Sequence, residues 1–249
     1  MRIITWNVNH RTKEVPIRSG LIEALLALEA DVMIITEFVP GKSRTAFYQA
    51  LSDGGYPFTI ISEHLRGHNT IFIASRFPLT KGDLVAPSLM KAMTPNALHV
   101  RLPSVGIEIL GVRLPLPVKK EHHFLWWEWV LASASSVREL PLVIIGDFNV
   151  DSRNRRFPKW KWSDPVQKLS ELGFSLATPS TGFSFFPRAD KKKTCLDHAF
   201  ISKDFRLLRA EYVTEISGLR VAGTDGAVSD HAVLLVDADL FEVGDRRNP

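Results

Sequence analysis

Polar residues that suit phosphate chemistry follow a short apolar stretch near the middle of the chain. Residues 142–145 are an apolar run typical of a strand buried on both faces, and Gly146 after them permits a turn or a close backbone approach. Because side chains alternate along an extended chain, Asp147 and Asn149 lie on one face. A carboxylate beside a carboxamide can hold a phosphoryl group and an activated water. The stretch alone fits an Asp/Asn turn after a core strand equally well.

Side chains of the same kinds occur at other predicted strand ends. These are Asn7 and Asn9, Glu37, Asp197 with His198, and Asp230 with His231. Glu37, Asp230 and the amide of Asn9 are hard oxygen ligands, too few for a calcium cage but suited to Mg²⁺, which keeps water and substrate phosphate among its ligands. A His near a carboxylate can stabilise charge on a phosphoryl oxygen, and Asp147 can orient or deprotonate the attacking water.

The elements that position these side chains begin with a strand, a helix and a second strand. Residues 2–8 and 32–36 are predicted to be strands, each ending in polar groups. Pro16 opens the helix between them, in which apolar residues recur at helical spacing. This order predicts a βαβ unit with its site at the carboxyl ends of the strands.

The rest of the chain is predicted to continue the same pattern of strands and helices. Helices are expected at 43–52, within 119–140 and after 163, and strands at 57–62, 69–75, 97–102, 107–114, 181–186, 196–202, 207–216 and 232–236, before a polar tail at 242–249. We interpret residues 1–249 as a single α/β domain of two packed mixed sheets with helices outside.

Composition narrows the class of protein. Cys195 is the one cysteine, which excludes an internal disulfide framework and a multi-thiolate zinc site. The N-terminus enters a strand without a signal-peptide pattern, so we expect a cytoplasmic protein. No apolar run approaches the roughly 20 residues of a membrane-spanning helix, and no membrane partner is expected. A net charge of +4 permits a polyanionic ligand without requiring one.

Six short motifs together resemble the endonuclease/exonuclease/phosphatase superfamily, which includes exonuclease III-type nucleases and DNase I. The motifs occur in the order of that family and span nearly the whole chain. They are residues 5–9 (Thr-Trp-Asn-Val-Asn), 35–37 (Ile-Thr-Glu), 69–79 (from Asn69 to Leu79), 146–149 (Gly-Asp-Phe-Asn), 196–198 (Leu-Asp-His) and 229–231 (Ser-Asp-His).

The resemblance implies a DNase I-like four-layer α/β sandwich and phosphoester hydrolysis that depends on Mg²⁺ or Mn²⁺. It further implies a role for each matching residue. Glu37 is the main metal ligand with Asn9 and Asp230 near the ion, Asn7 and Asn149 hold phosphate oxygens, Asp147 activates the water, and His231, oriented by Asp197, stabilises the charge on the phosphoryl oxygens.

The chain departs from the family pattern in the strand before the long helix. Nucleases of the family carry Tyr or His there, followed by Pro-Asn, whereas this chain has Arg113 at that position and Leu116 in place of the Asn. A guanidinium can bind phosphate bidentately, but it cannot donate a proton to a leaving group at neutral pH. Asn9 also stands where many members have Asp, and Thr70 where Gly is common.

Two basic loops point to the substrate. Cations that track a phosphate backbone and aromatics that stack on bases are typical of nucleic-acid binding. The expected substrate-binding residues are Arg153, Arg155, Arg156, Lys159 and Trp160 in one loop, Lys191, Lys192 and Lys193 in the other, and Asn69 in the third motif.

These features favour a monomeric nuclease acting on DNA. A hydrolase of small phosphodiesters or phosphomonoesters is the second interpretation, since loops rather than shared catalytic groups select the substrate. A catalytically inactive module that binds nucleic acid is the third. The aromatics of the first loop are nearly as consistent with anchoring a solvated loop on the core as with stacking.

Overall fold

The computed structural model describes residues 1–63, 68–87, 96–117, 120–137, 141–151, 163–188 and 191–241. The first predicted basic loop, with Arg153, Arg155, Arg156, Lys159 and Trp160, and the predicted tail at 242–249 lie outside these residues. Among the helices described, none is both long and apolar enough to cross a membrane.

The described elements are strands with helices inserted among them. They are β1 (Arg2–Asn7), a 3₁₀ turn (Arg11–Lys13), α1 (Leu21–Ala27), β2 (Val32–Phe38), α2 (Arg44–Asp53), β3 (Phe58–Ile61), β4 (Thr70–Ser75), β5 (Thr80–Lys81), β6 (Ala97–Leu102), β7 (Ile107–Arg113), α3 (Lys120–Ser136), β8 (Leu142–Asp147), α4 (Ser163–Glu171), β9 (Phe174–Leu176), β10 (Asp197–Ser202), β11 (Phe205–Val213), β12 (Glu215–Ile216), β13 (Leu219–Arg220) and β14 (Val233–Leu240).

The strands form two six-stranded sheets and a small β12–β13 hairpin. The first sheet has the order β11-β14-β1-β2-β4-β3, and the second has the order β5-β6-β7-β8-β10-β9. The pairs β1–β2 and β7–β8 are parallel, and the other pairs in both sheets are antiparallel. Each parallel pair is joined by a crossover that carries a helix, as parallel strands require. The predicted α/β class with two mixed sheets is therefore confirmed.

Apolar residues on both faces of the central strands hold four layers together. In β8, Val143 and Ile145 join the apolar cluster between the sheets, whereas Ile144 packs in the outer cluster beneath α3. In β2, Ile34 faces the other sheet and Ile35 packs toward α1 and α2. Strands covered on both faces need apolar residues at every position, which explains their continuous hydrophobic runs.

Three local predictions were wrong. The first helix begins at Leu21 rather than after Pro16, since Gly20 at φ +82° turns the chain immediately before it. The segment 181–186 is not a regular strand, because within it Phe185 alone makes bridges, to Thr194 and to His231. The strand predicted at 207–216 divides into β11 and β12, and the short strands β5, β9 and β13 were not predicted, because two or three residues are too few to show alternation.

The packing at Gly146 gives a first testable prediction. Gly146 has φ +152°, and a Cβ at this position would overlap the carbonyl oxygen of Val112 on the neighbouring strand. We expect Gly146→Ala to lower the free energy of unfolding by roughly 3 kcal/mol, because backbone strain and steric overlap add. Urea unfolding monitored by tryptophan fluorescence measures this loss.

Gly106→Ala is the matched control. Gly106 also has positive φ, at +75°, but an added Cβ meets no described heavy atom within 4 Å. Its expected cost is about 1 kcal/mol, from the left-handed backbone alone. Equal losses in the two variants would show that close packing at Gly146 contributes nothing.

Candidate active site

Strand pairing in the second sheet places three charged residues side by side. In the registers of β7, β8 and β10, Asp147 is directly opposite Arg113 on one side and Asp197 on the other. Arg113 and Asp147 end the parallel strands β7 and β8, where an α/β sheet commonly forms a site, and Asp197 begins the antiparallel β10. The strand register alone therefore places Arg113, Asp147 and Asp197 next to one another.

A hydrogen bond between Asn7 and Asp147 joins the ends of the two sheets. The Asn7 Nδ2 donates to Asp147 Oδ2 at 3.0 Å, and both residues are buried. The Asn7 Oδ1 accepts the backbone N–H of Asn9 at 2.9 Å, which fixes the orientation of the amide. Asn9 itself has φ +45° and lies half-buried where the chain leaves β1. The structure thus brings the first and fourth predicted motifs into contact.

Glu37 is buried at the end of β2, where both carboxylate oxygens face nitrogen donors. The strand register shifts between Ile35 and Phe38, and Glu37 takes φ +54° at this irregularity. The Arg113 Nε donates to Glu37 Oε1 at 2.9 Å and its Nη2 lies 2.6 Å from the same oxygen. The His10 Nδ1 lies 3.3 Å from Oε2.

The charge of Glu37 is favoured by these neighbours. Burial alone would raise the pKa of the carboxyl, but Arg113, with smaller contributions from His10, His231 and Asn7, lowers the pKa below its usual value. Glu37 is therefore ionised at neutral pH. A buried ionised carboxylate at a strand end is a suitable ligand for a hard cation.

Asp147 is fully buried and its carboxylate is held from two sides. Its Oδ1 accepts the backbone N–H of Asn149 at 2.9 Å, and the Arg113 Nε lies 3.8 Å from Oδ2. Burial and the nearby Asp197 raise the pKa of Asp147 to about 6, although His231 and Arg113 act in the opposite direction. Near neutral pH this group is mostly ionised and close to the pKa at which a general base is effective.

Asn149 is fixed beside Asp147 by the loop that follows β7. Its Nδ2 donates to the carbonyl oxygen of Leu114 at 2.7 Å, and its backbone has φ +53°. The amide is buried together with Asp147. This arrangement places a second carboxamide on the same carboxylate as Asn7.

His231 and Asp197 form a buried hydrogen-bonded pair. The His231 Nδ1 lies 2.8 Å from Asp197 Oδ2, and Trp6 Nε1 donates to the His231 carbonyl oxygen at 2.9 Å. Burial lowers the pKa of His231, but Asp197, supported by Asp147 and Asp230, outweighs it and raises the pKa to about 9. The ring is therefore cationic at neutral pH, with its Nε2–H available to another acceptor.

Ser229 connects the last predicted motif to the first. Its Oγ donates to the carbonyl oxygen of Asn7 at 2.7 Å and accepts the backbone N–H of His231 at 3.2 Å. Asp230, between them, is half-buried, and its charge acts on both His10 and His231. The acidic ligand candidates Glu37 and Asp230 thus lie around one pair of histidines.

The predicted substrate-binding residues lie around the edge of this cluster. Asn69 is half-buried and precedes Thr70, whose Oγ1 donates to the Phe38 carbonyl oxygen at 3.0 Å, next to Glu37.

Lys191, Lys192 and Lys193 are exposed. The Lys193 Nζ lies 4.9 Å from the ring centroid of Phe186, and the Phe186 N–H donates to the Asp230 carbonyl oxygen at 2.8 Å. The second basic loop therefore adjoins the cluster.

Three residues of the site were missed from the sequence. His10 was not predicted to belong to the site, but it lies against Glu37. Ser184 accepts the backbone N–H of Asp197 at 3.0 Å, and Ser229 ties two strands together. Of these three residues, the sequence indicated only Ser229, because it stands directly before Asp230 in the last motif. His198, which alternation along β10 turns to the face opposite Asp197, is buried with its Nε2 3.0 Å from the Val150 carbonyl oxygen.

The donor set fits a small hard cation. Within the described residues, no three His, Cys, Asp or Glu side chains form a group that could hold a metal ion alone. Mg²⁺ is commonly bound through one or two carboxylates, with water and substrate phosphate completing its shell. Glu37 and Asp230 are carboxylates and Asn9 carries an amide oxygen, which are the kinds of donor that such a site uses.

The two-sheet fold and this cluster of carboxylates, amides and a histidine are those of a family whose members hydrolyse phosphoesters. The chain belongs to the Endonuclease/Exonuclease/phosphatase family, whose model matches residues 4–231. A search of curated proteins gave no match.

Solved structures share the fold over almost the whole chain. An AP endonuclease from Archaeoglobus fulgidus has a TM-score of 0.72 at 17% identity, with 96% of this chain and 100% of that chain covered. A 3' phosphatase from Neisseria, bound to a product DNA hairpin, has a TM-score of 0.70 at 20% identity, with 96% and 99% covered. A mannosyl-6-phosphatase from Bacteroides thetaiotaomicron has a TM-score of 0.67 at 16% identity, with 96% and 100% covered.

The His231–Asp197 pair predicts how stability depends on pH. Because folding raises the pKa of His231 from 6.5 to about 9, its contribution is complete below pH 6.5 and is lost as the pH rises through about 9. We expect the free energy of unfolding to fall across this window in the wild type, and much less in Asp197→Asn. Urea unfolding at several pH values measures the slope, and NMR titration of the imidazole protons measures the pKa.

Asp237→Asn is the matched control, because Asp237 pairs with Arg2 on the same fold without contacting His231. It should keep the wild-type slope between pH 6.5 and 9. An unchanged slope in Asp197→Asn would contradict the assignment of this pH dependence to the pair.

Proposed function

We propose that this protein is a divalent-metal-dependent phosphodiesterase whose substrate is DNA. The observation that carries the proposal is the contact of both sheets at Asp147. Through this contact Glu37, Asp147 and His231 share one cluster, in which Asn7 hydrogen-bonds Asp147 and also lowers the pKa of Glu37. Phosphoester hydrolysis by water needs three kinds of group. They are a carboxylate whose pKa is close to the operating pH, a cationic histidine and a carboxylate that binds a metal.

Asp147 is the proposed base for the attacking water. Its pKa of about 6 leaves it mainly ionised at neutral pH, so it can accept a proton from water as the water attacks phosphorus. Asn7 and Asn149 hold the carboxylate, with the Asn7 Nδ2 at 3.0 Å and the Asn149 Nδ2 at 3.4 Å from Asp147 Oδ2.

His231 is the proposed stabiliser of the charge that develops on the phosphoryl oxygens. With Nδ1 bonded to Asp197, the ring can donate from Nε2 while it keeps its positive charge. Asp197 also fixes the orientation of the ring. Removal of either partner therefore affects both the charge and the direction of the donor.

Glu37, Asp230 and Asn9 are the proposed ligands of Mg²⁺ or Mn²⁺. When bound, the ion supplies Lewis-acid polarisation of a phosphoryl oxygen and neutralises part of its charge. Glu37 is the strongest candidate, because its pKa is lowered and its carboxylate is buried at the end of β2.

The choice of DNA rests on charge beside the cluster. Lys191, Lys192 and Lys193 are exposed, and Phe186 connects their loop to Asp230 through one backbone hydrogen bond. Adjacent cations suit a polymer with a phosphate on every nucleotide better than a single small phosphoester. The similar structures include both an AP endonuclease and a mannosyl-6-phosphatase, so a small phosphoester is the second candidate.

Substitutions in the cluster test the catalytic proposal. We expect Glu37→Gln, Asp147→Asn and His231→Gln each to lower hydrolysis of plasmid DNA and of bis-p-nitrophenyl phosphate at least about 100-fold, since each removes a metal ligand, a base or a charge stabiliser. Chelation of divalent metal should abolish the activity, and Mg²⁺ or Mn²⁺ should restore it. Initial rates with each substrate give the measurement.

Asp53→Asn and His68→Gln are matched controls, since both side chains are exposed on the described surface. They should retain wild-type rates. A panel of abasic duplex, single-stranded DNA, RNA and p-nitrophenyl phosphate separates the candidates. Turnover of small esters alone would favour the second candidate, and tight DNA binding without turnover in any metal would identify an inactive binding module.

The lysine cluster provides a separate test of the substrate. We expect Lys191→Gln, Lys192→Gln and Lys193→Gln combined to reduce the slope of log affinity for duplex DNA against log salt by about 2 to 3, because each phosphate contact releases about one counterion. Fluorescence anisotropy at several salt concentrations measures the slope. Hydrolysis of bis-p-nitrophenyl phosphate should be unchanged.

Arg206→Gln combined with Arg209→Gln is the control, because both arginines are exposed on β11 and pair with Asp239 and Glu211. If both sets of substitutions reduce the salt slope equally, binding reflects net charge alone, and the lysine cluster is not a specific DNA contact.

A further inference from the structure

Arg113 occupies one oxygen of the carboxylate that is proposed to bind the metal. Two nitrogens of the guanidinium lie 2.9 and 2.6 Å from Oε1 of Glu37. The pair is largely shielded from solvent, with side-chain exposures of 18% for Arg113 and 11% for Glu37. Solvent therefore screens the pair weakly, and the interaction is stronger than that of an exposed ion pair.

A divalent cation at Glu37 would meet this guanidinium at close range. Arginine stays protonated at any working pH, so the charge cannot be removed by deprotonation. Two cations on one carboxylate oxygen repel each other strongly in a site of low dielectric. Tight metal binding at Oε1 therefore requires Arg113 to find another anion.

The position of Arg113 shows where such an anion would bind. Its Nε lies 3.8 Å from Asp147 Oδ2, so the guanidinium stands between the proposed metal ligand and the proposed base. A phosphoryl group attacked by a water on Asp147 lies in the same region. A phosphate offers two oxygens to the guanidinium fork, which a single carboxylate oxygen cannot.

We propose that Arg113 couples metal binding to phosphate binding by exchanging Glu37 for a substrate phosphate oxygen. The inference rests on the proposed function, because it uses the same metal ligand and the same phosphoryl position. With a phosphodiester on Arg113, Glu37 would be free to hold the cation, and with a cation at Glu37, Arg113 would be free to bind the phosphodiester. By linkage, each ligand then strengthens the binding of the other by the same factor.

The test is the affinity for Mn²⁺ with and without dimethyl phosphate, measured by isothermal titration calorimetry and by the EPR signal of free Mn²⁺. Coupling of this kind is typically 5- to 150-fold, so we expect dimethyl phosphate to tighten Mn²⁺ binding to the wild type about tenfold. Arg113→Gln should bind Mn²⁺ about tenfold more tightly than the wild type without the diester, and the diester should have no further effect. Arg113→Lys, a point charge without a fork, should show intermediate coupling.

Arg206→Gln controls for loss of an arginine charge elsewhere and should keep the wild-type coupling. Unchanged or weaker Mn²⁺ binding by Arg113→Gln without the diester would overturn the inference, as would a wild type without coupling. Should Arg113→Gln fail to fold by circular dichroism, Arg113→Lys decides: reduced coupling supports the exchange and wild-type coupling overturns it.

Glu37→Gln separates this inference from the proposed function. If Glu37→Gln binds Mn²⁺ as the wild type does, the proposed metal site itself is wrong. If Glu37→Gln loses Mn²⁺ binding while Arg113→Gln resembles the wild type, only the exchange by Arg113 is wrong. Hydrolysis rates are measured separately from Mn²⁺ affinity, so they test the proposed function whatever the affinities show.

Discussion

The site depends on the burial of one ionisable carboxylate where two sheets meet. Asp147 is wholly buried, and a buried charge is costly unless hydrogen bonds and opposite charges compensate for it. The compensating groups come from both sheets and from the loop after β8, namely Asn7, Arg113 and Asn149. Each of these groups must lie close to one of the two carboxylate oxygens of Asp147. Compensation of this buried charge therefore also fixes the relative positions of the groups that are proposed to act on a phosphate.

Charges of alternating sign extend this arrangement across the cluster. Arg113 lies between Glu37 and Asp147, and His231 lies against Asp197. This alternation explains why the pKa shifts differ in sign. Glu37, beside a fixed cation, has a lowered pKa, whereas Asp147, beside a second carboxylate and fully buried, has its pKa raised to about 6. Two chemically similar side chains therefore differ in pKa, which suits the separate roles of base and metal ligand that are proposed for them.

Most strands could be predicted from the sequence, because buried strands have continuous apolar runs. The chain segments that carry the site could also be predicted, because polar residues follow directly after those runs. It could not predict which side chains touch. The pairing of Arg113 with Glu37 joins residues 76 positions apart and depends on the packing of two sheets. The place of His10 depends on successive left-handed residues after β1, which no side-chain pattern indicates.

Substrate choice is physically separable from the catalytic arrangement in this fold. Asp147, Asp197 and His231 are buried and hydrogen-bonded, so changes there disturb packing as well as chemistry. The lysines at 191–193 are exposed, and surface changes away from such networks usually cost little stability. Substrate preference can therefore change in the loops while the buried groups stay in place. This separation explains how one fold is shared by an AP endonuclease and a mannosyl-6-phosphatase.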